Sequence, residues 1–304
     1  MTSSFDTAVS TGSMVTGKWK KSQYLIERNL GEGANGKVYL VRKGIAVYAM
    51  KVGFDAIDLQ SEINVLKQLS RQSGTFHSFL IDVDDFQSQG KSYTFYIMKY
   101  IKGQTLDEFL SLRGEEWLGL LGLNLLAKLS ELHALGWIFG DLKMENILVS
   151  GYGQVELVDF GGVTDKGRAV KQFTEVYDRG YWGAGSRIAD EGYDLFSFAV
   201  LYLHVTGQAK DCFSKQMIPQ NRSVEWLMEK LDHSSPDYAP ILKKALEGKF
   251  KSSAEAYQQW KTLFYQGNPP PKERATPKVI VWIQASFIIS VVLLLAVLYF
   301  YSKG

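Results

Sequence analysis

Cysteine is nearly absent from this chain. Cys212 stands alone among 304 residues, which excludes an intramolecular disulfide and a cysteine-built zinc site. A lone cysteine reads as a small buried apolar residue rather than a reactive thiol, and the composition is compatible with a reducing cytosol. Net charge is equally scarce: 34 Lys and Arg face 32 Asp and Glu, leaving +2. No global field therefore recruits nucleic acid, and any anionic partner must be met by a local patch. No apolar run opens the chain either. Met1 to Gly17 is rich in Ser and Thr, lacks the core of a secretion signal and predicts a flexible tail, taken to extend to residue 23. No internal repeat recurs at a fixed period. What is plentiful is apolar character: 46% hydrophobic residues support a sizeable buried core.

From Tyr24 the texture becomes strand-like. Tyr24 to Ile26, Val38 to Val41, Val47 to Met50, Phe79 to Phe86 and Tyr93 to Tyr100 are short β-type runs divided by Gly-containing turns, Gly90 among them. Ser61 to Leu69 intervenes with Ile63, Leu66 and Leu69 at helical spacing. After Gly103 the pattern turns helical: Thr105 to Ser111, Glu116 to Leu135, Tyr193 to Thr206, Val224 to Leu231 and Ala254 to Gln266. Strands first and helices afterwards predict an α+β fold of two lobes, over residues 24–266. A Pro-rich linker follows at 267–278.

Beyond the linker, Val279 to Tyr301 carries no charged residue. As a helix this stretch would reach roughly 34 Å, enough for a bilayer core of about 30 Å. Trp282, Tyr299, Phe300 and Tyr301 sit near its ends, Lys272, Arg274 and Lys278 precede it, and Lys303 follows in a short tail, 302–304. The positive-inside rule then leaves the large N-terminal region in the cytosol. A single-pass tail anchor is expected.

Chemistry is concentrated in five places. Leu30-Gly31-Glu32-Gly33-Ala34-Asn35-Gly36-Lys37-Val38 is a G-x-G-x-x-G-x-V run followed by a strand rather than a helix, so it reads as a hairpin turn that brings backbone N–H groups to phosphate oxygens, not as a dinucleotide fingerprint. Lys51 ends an apolar strand thirteen residues after Val38. Alone it would be a solvated charge; beside such a turn it is placed to hold nucleotide phosphates. Glu62, on the next helix, is positioned to pair with it. Asp141-Leu142-Lys143-Met144-Glu145-Asn146 and then Asp159-Phe160-Gly161 complete the set.

Together these segments resemble the Hanks-type protein kinases. The resemblance runs from about Tyr24 to Tyr265 and implies a bilobal kinase fold with a β-rich first lobe and a helical second one. It implies that Asp141 orients the substrate hydroxyl, that Lys143 reaches the γ-phosphate, and that Asn146 and Asp159 hold Mg²⁺, with Mn²⁺ a compatible substitute. ATP would lie between Val38, Ala49 and Leu148, roofed by Leu30, Gly31, Gly33 and Gly36. Met98 would guard the adenine pocket, and Lys99 to Ile101 would offer the base backbone hydrogen bonds. Lys143 resembles serine/threonine kinases, so protein substrates are expected, the chain itself included.

Two elements of that family are missing. Phe139-Gly140 stands where His-Arg is usual, and Gly180-Tyr181-Trp182-Gly183-Ala184-Gly185 where Ala-Pro-Glu is usual. An aromatic Phe139 can still fill the hydrophobic spine, whereas Gly140 removes the arginine that pairs with a phosphorylated activation loop. Thr164, Thr174 and Tyr177 in that loop, and Ser3, Ser4 and Thr7 in the tail, are candidate phosphorylation sites. Asp194-Leu195-Phe196-Ser197-Phe198-Ala199 resembles the helix whose acid braces the catalytic loop. Gly before the catalytic acid is also found in kinases of the aminoglycoside and choline type, and a membrane-held pseudokinase is a third reading. Lys143 and the intact Asp-Phe-Gly favour a protein kinase. With the tail anchor, the Phe139 to Lys143 stretch is similar to the YabT-type kinases of spore-forming bacteria. Lys243, Lys244, Lys249, Lys251 and Lys261 form either a solvated face or a docking surface for anionic lipid or DNA. Homodimerisation is left open.

Overall fold

The computed structural model describes residues 9–33, 35–72, 74–207, 222–231 and 237–267. The chain divides into two units, Met1–Phe264 and Tyr265–Gly304, and the lobes and site belong to the first. Ser3, Ser4, Thr7, Ala34, Cys212, the linker beyond Gly267, the expected span at 279–301 and the tail at 302–304 lie outside the described residues. Among the described residues no helix is long and apolar enough to cross a membrane.

Alternating apolar residues set the first lobe. Strands β1 (Met14–Thr16), β2 (Gln23–Gly33), β3 (Gly36–Lys43), β4 (Ala46–Gly53), β5 (Leu80–Ser88) and β6 (Lys91–Lys99) pair antiparallel in the order β1-β2-β3-β4-β6-β5. Because side chains alternate across a strand, one face sends Tyr39, Val41, Met50, Val52, Phe95 and Ile97 into a core of its own. The other face sends Ala49, Tyr96 and Met98 toward helix α1 (Ala56–Ser70), which returns Leu59, Ile63 and Leu66. Asp55 caps α1 by accepting hydrogen bonds from Ile57 and Asp58 N–H. The helix thus starts five residues before the Ser61 expected from periodicity.

Residues 9–23 correct the expected tail. Val9 and Val15 are buried with Tyr24 and Ile26, and β1 pairs Met14 with Leu25. Lys18 N–H donates to the Asp85 carbonyl across 2.6 Å, while Trp19 and Lys20 N–H donate to the Asp84 carboxylate at 3.0 and 2.8 Å. Strand β5 is the far edge of the sheet from β1, so this strap joins the two edges and covers backbone that would otherwise stay unpaired. A Ser/Thr-rich composition hid it because its order comes from backbone bonds and two valines, not from an apolar period.

The second lobe is built on α2 (Leu106–Arg113), α3 (Leu118–Ala134), α4 (Glu191–Val205), α5 (Val224–Leu231), α6 (Ala239–Leu246) and α7 (Ser253–Gly267). The sequence pattern missed α6, whose eight residues are too few for a clear period. Trp260 anchors the lobe: its ring stacks on Tyr238 at 4.1 Å and its indole N–H donates to the Gly119 carbonyl at 2.9 Å. Burying such a side chain contributes about 2–3 kcal/mol. Against these helices run short strands, β7 (Gln104–Thr105), β8 (Trp137–Ile138), β9 (Ile147–Ser150), β10 (Gln154–Leu157) and β11 (Thr164–Asp165). β7-β9-β10 form one small sheet and β8-β11 another. They hold the two loops that carry the candidate chemistry.

Candidate active site

Lys51 and Glu62 meet because β4 and α1 pack face to face. Lys51 Nζ lies 2.7 Å from Glu62 Oε2 and 3.0 Å from Oε1, and 2.7 Å from Asp159 Oδ1. Lys51 is 4% exposed and Glu62 2%. Burial alone would push the ammonium down; Glu62 and then Asp159 outweigh it and hold Lys51 raised above its ordinary value. Burial pushes the Glu62 carboxyl up, with Lys51 offsetting part of the effect. For Asp159 burial acts upward too, but the Lys51 ammonium and the Gly161 N–H leave it lowered. Asp159 itself has φ 62 and ψ 83, a left-handed conformation uncommon for a non-glycine residue.

Phe160 follows into the core, with its ring 5.1 Å from Phe79, 5.9 Å from Phe76 and 6.1 Å from Phe139. Phe139 therefore fills the expected spine place. Its N–H and that of Gly140 donate to Asp194 at 2.7 and 2.9 Å, and His133 Nε2 lies 2.8 Å from the same fully buried carboxylate. Gly140 has φ +80, and a Cβ there would come within 2.9 Å of the Gly162 carbonyl. Glycine suits this position for backbone reasons alone.

Asp141 comes next in that braced loop. Lys143 Nζ is 2.7 Å from Asp141 Oδ2, and Asn146 Nδ2 donates to the Asp141 carbonyl at 2.9 Å. Thr174 Oγ1 donates to Asp141 Oδ1 at 2.9 Å. Asn146 and Asp159 offer hard oxygen donors, and no cluster of three or more His, Cys, Asp or Glu exists among the described residues. That donor set fits Mg²⁺, which takes one or two protein oxygens and completes its shell with phosphates and water.

Most of the residues expected to meet the nucleotide lie on the large sheet, with Ile101 just beyond β6 and Leu148 on β9. Ala49 sits opposite Met98 and Val38 opposite Lys51 in register. Leu30, Val38 and Ile101 pack half-buried against the main core, and Leu148 is half-buried on β9. Gly31 and Gly33 are exposed in the β2–β3 hairpin, where Gly33 pairs with Gly36. A Cβ on Gly33 would lie 4.0 Å from Asp159 Oδ2, so the hairpin reaches over the acid. The Lys99 N–H is taken by the Phe79 carbonyl at 2.9 Å, so of the Lys99 to Ile101 backbone that one donor is not offered to a base.

Residues 24–277 match the protein kinase domain. The chain belongs to the protein kinase family. It is 39% identical over 251 residues to the serine/threonine-protein kinase YabT of Bacillus subtilis, covering 80% of this chain and 72% of that one. Ribosomal protein S6 kinase 2 beta of Xenopus laevis is 33% identical over 154 residues, 47% of this chain and 24% of that much longer protein. Among solved structures, vaccinia related kinase 3 superposes with a TM-score of 0.63 at 16% identity, over 86% of this chain and 92% of that one. The enzyme is an ATP-dependent protein serine/threonine kinase.

Where Ala-Pro-Glu is usual, the kinase carries a polar knot that sequence reasoning did not find. Asp178, with no exposed surface, accepts from Gly180 N–H and Tyr193 Oη through Oδ1, and from Tyr181 N–H and Arg187 through Oδ2. Arg179 forks onto both Asp190 oxygens at 2.8 and 2.7 Å and also donates to the Ser186 and Ile188 carbonyls. Nothing in the run of Gly, Tyr and Trp announces this; the signal was the paired Asp-Arg at 178–179 with Arg187 and Asp190 downstream. The three loop hydroxyls named as phosphorylation candidates are all engaged. Thr164 is buried and donates to the Gly162 carbonyl, Thr174 holds Asp141, and buried Tyr177 meets His204 Nδ1 at 2.6 Å.

The lysine patch is partly neutralised. Lys244 pairs with Glu255 at 2.5 Å and Lys249 with Glu247 at 2.8 Å. Lys261 lies 5.8 Å from the Tyr257 ring centroid, and Lys251 is exposed.

Proposed function

We propose that this kinase transfers the γ-phosphate of ATP to Ser and Thr hydroxyls of proteins, itself included, while tethered by residues 279–301 to the cytosolic face of a bacterial membrane. The observation that carries the catalytic reading is Lys51, held at 2.7 Å by both Glu62 and Asp159. In phosphoryl transfer the protein mainly positions groups and stabilises charge. Lys51 binds and orients phosphate oxygens. Asp141, accepting from Thr174 and paired with Lys143, orients the attacking hydroxyl and takes up its proton, and Lys143 offsets charge on the transferred group. Asn146 and Asp159 would hold Mg²⁺, which supplies neutralisation of the phosphate charge when bound; Mn²⁺ has the same donor preference. Val38, Ala49 and Leu148 sandwich the adenine, with Met98 at the back of its pocket and Leu30, Gly31, Gly33 and Gly36 above.

The small-molecule reading rested on glycine before the catalytic acid. The left-handed backbone at Gly140 accounts for that glycine without reference to substrate. Tethering rests on the uncharged 279–301 stretch alone. An activating role for anionic lipid or DNA at Lys243, Lys244, Lys249, Lys251 and Lys261 is weakened by the two local ion pairs, and dimerisation has no support in a surface described above.

Labelled phosphate appearing on Ser or Thr of a test protein, but not on an amino-sugar, supports the catalytic reading; the opposite preference refutes it. Flotation of the full chain with anionic vesicles, against a chain ending at residue 271, tests the tether. If both forms stay at the bottom of the gradient, the anchor is wrong.

A further inference from the structure

Tyr96 lies on β6 directly across from Lys51 on β4, so both side chains leave the sheet on one face and meet α1 there. Its phenol donates to Glu62 Oε1 at 2.9 Å. The same oxygen accepts from Lys51 at 3.0 Å and from the Phe160 N–H at 3.1 Å. Tyr96 is 1% exposed, and burial followed by the nearby carboxylates raises its phenol well above its ordinary value, so it remains a donor. A buried donor with no water to turn to is costly to leave unpaired. The sheet is thus bonded to Glu62 through two side chains rather than one.

This second bond matters because Lys51 has two competing acids, Glu62 and Asp159, each at 2.7 Å. A carboxylate held by Lys51 alone could turn about its own axis and yield the ammonium to Asp159. The phenol and the Phe160 N–H fix the plane of that carboxylate from two sides. A further polar tie between α1 and the activation segment, Lys171 Nζ to Ser61 Oγ at 3.1 Å, is exposed, and such contacts contribute little. With glycine at 140, no arginine beside the catalytic acid can recruit a loop phosphate to draw α1 inward.

We infer that Tyr96 is a positioning residue for phosphoryl transfer: its hydroxyl locks the Glu62 carboxylate, and with it α1, against the sheet so that Lys51 is presented to the nucleotide without help from loop phosphorylation. The inference rests on the kinase reading of Lys51 and Glu62. Tyr96 touches neither nucleotide nor substrate; it acts through Glu62.

The test is a double-mutant cycle on the full-length chain: wild type, Tyr96→Phe, Glu62→Gln and the pair together. For each, kcat and KM for ATP are measured at a temperature where melting curves show all four folded. Phenylalanine keeps the ring and removes only the hydroxyl. Tyr96→Phe is expected to lower kcat about tenfold, the scale of one charge-assisted hydrogen bond. KM for ATP should move less than about twofold, because Asp159 still keeps Lys51 near the phosphates. In the Glu62→Gln background the same change should cost little further, since the neutral amide still accepts from the phenol but no longer pairs its charge with Lys51. Losses that simply multiply, or a Tyr96→Phe enzyme with normal kcat beside an impaired Glu62→Gln enzyme, overturn the inference while leaving the kinase reading intact. A fully active Glu62→Gln enzyme overturns the reading of the Lys51–Glu62 pair and the inference with it.

Discussion

Replacing Asp178 by asparagine tests whether the polar knot does the work of the absent Ala-Pro-Glu. Every group that faces this carboxylate is a donor: two backbone N–H groups, the Tyr193 phenol and the Arg187 guanidinium. Asparagine has the right shape but must aim its NH₂ at one of the two donor sets, so one side becomes repulsive. If the amide takes the Oδ2 side, Arg187, 47% exposed, turns to water at little cost, and the Tyr181 N–H loses its acceptor. If it takes the Oδ1 side, the Gly180 N–H loses its acceptor, and the Tyr193 phenol, on a residue with no exposed surface, can only accept from the amide and leaves its own O–H unpaired. Either outcome costs about 2–3 kcal/mol. For a domain of this size that corresponds to a fall in Tm of about 4–12 °C. Because the knot underlies the segment that follows Thr174, KM for a protein substrate should rise at least severalfold while KM for ATP stays put. Thermal melts and steady-state kinetics on wild type and the Asp178→Asn variant decide it. An Asp178→Asn enzyme with unchanged Tm and unchanged protein KM would refute the reasoning.

Thr174→Val removes the hydroxyl that donates to Asp141 and is expected to lower kcat about tenfold with KM for ATP unchanged; unchanged kcat would show that the bond does not orient the acid. Gly140→Ala forces a Cβ into a left-handed backbone and toward the Gly162 carbonyl, and should lower stability by about 1–2 kcal/mol in urea unfolding; an unaltered midpoint counts against the backbone account of that glycine. His204 is pushed down to about 4, chiefly by burial, so it is neutral when folded and can accept from the Tyr177 phenol. A folded value below the ordinary 6.5 means that its contribution to stability is present above pH 6.5 and is lost as pH falls toward 4. The Tm of wild type should therefore drop more steeply than that of His204→Gln over that window, and parallel curves would contradict the assignment.

Much of the core site was legible because its chemistry is local. Asp141 to Asn146 and Asp159 to Gly161 are short runs whose residue types speak for themselves, and Lys51 ends a recognisable strand. The meeting of Lys51 with Glu62 could be anticipated only from the glycine turn and strand lysine beside it, since a lone helical glutamate carries no signal. Tyr96 and His133 were invisible because each draws its role from a distant partner, 34 and 61 residues away, whereas the Asp178 knot is built from nearby donors whose charged pairs follow no period. Tyr96 lay in an apolar run where an aromatic is ordinary core material. In the fold, long periodic elements were readable, whereas α6 was too short and the strap of residues 9–23 is ordered by Asp84 and Asp85 on a distant strand. Thr174 carries a contact that residue type does not announce: the candidate phosphorylation hydroxyl donates to Asp141.

The central claim is that Asp141 serves the attacking hydroxyl while Lys51 and its partners serve the nucleotide. Its most direct test is transfer of labelled phosphate from Mg²⁺-ATP to a protein by the full chain, with nucleotide binding measured in parallel for Asp141→Asn. The account predicts label on Ser or Thr with wild type, and loss of transfer by at least about a hundredfold in the variant with binding of Mg²⁺-ATP retained. An Asp141→Asn enzyme that still transfers phosphate at the wild-type rate would contradict it.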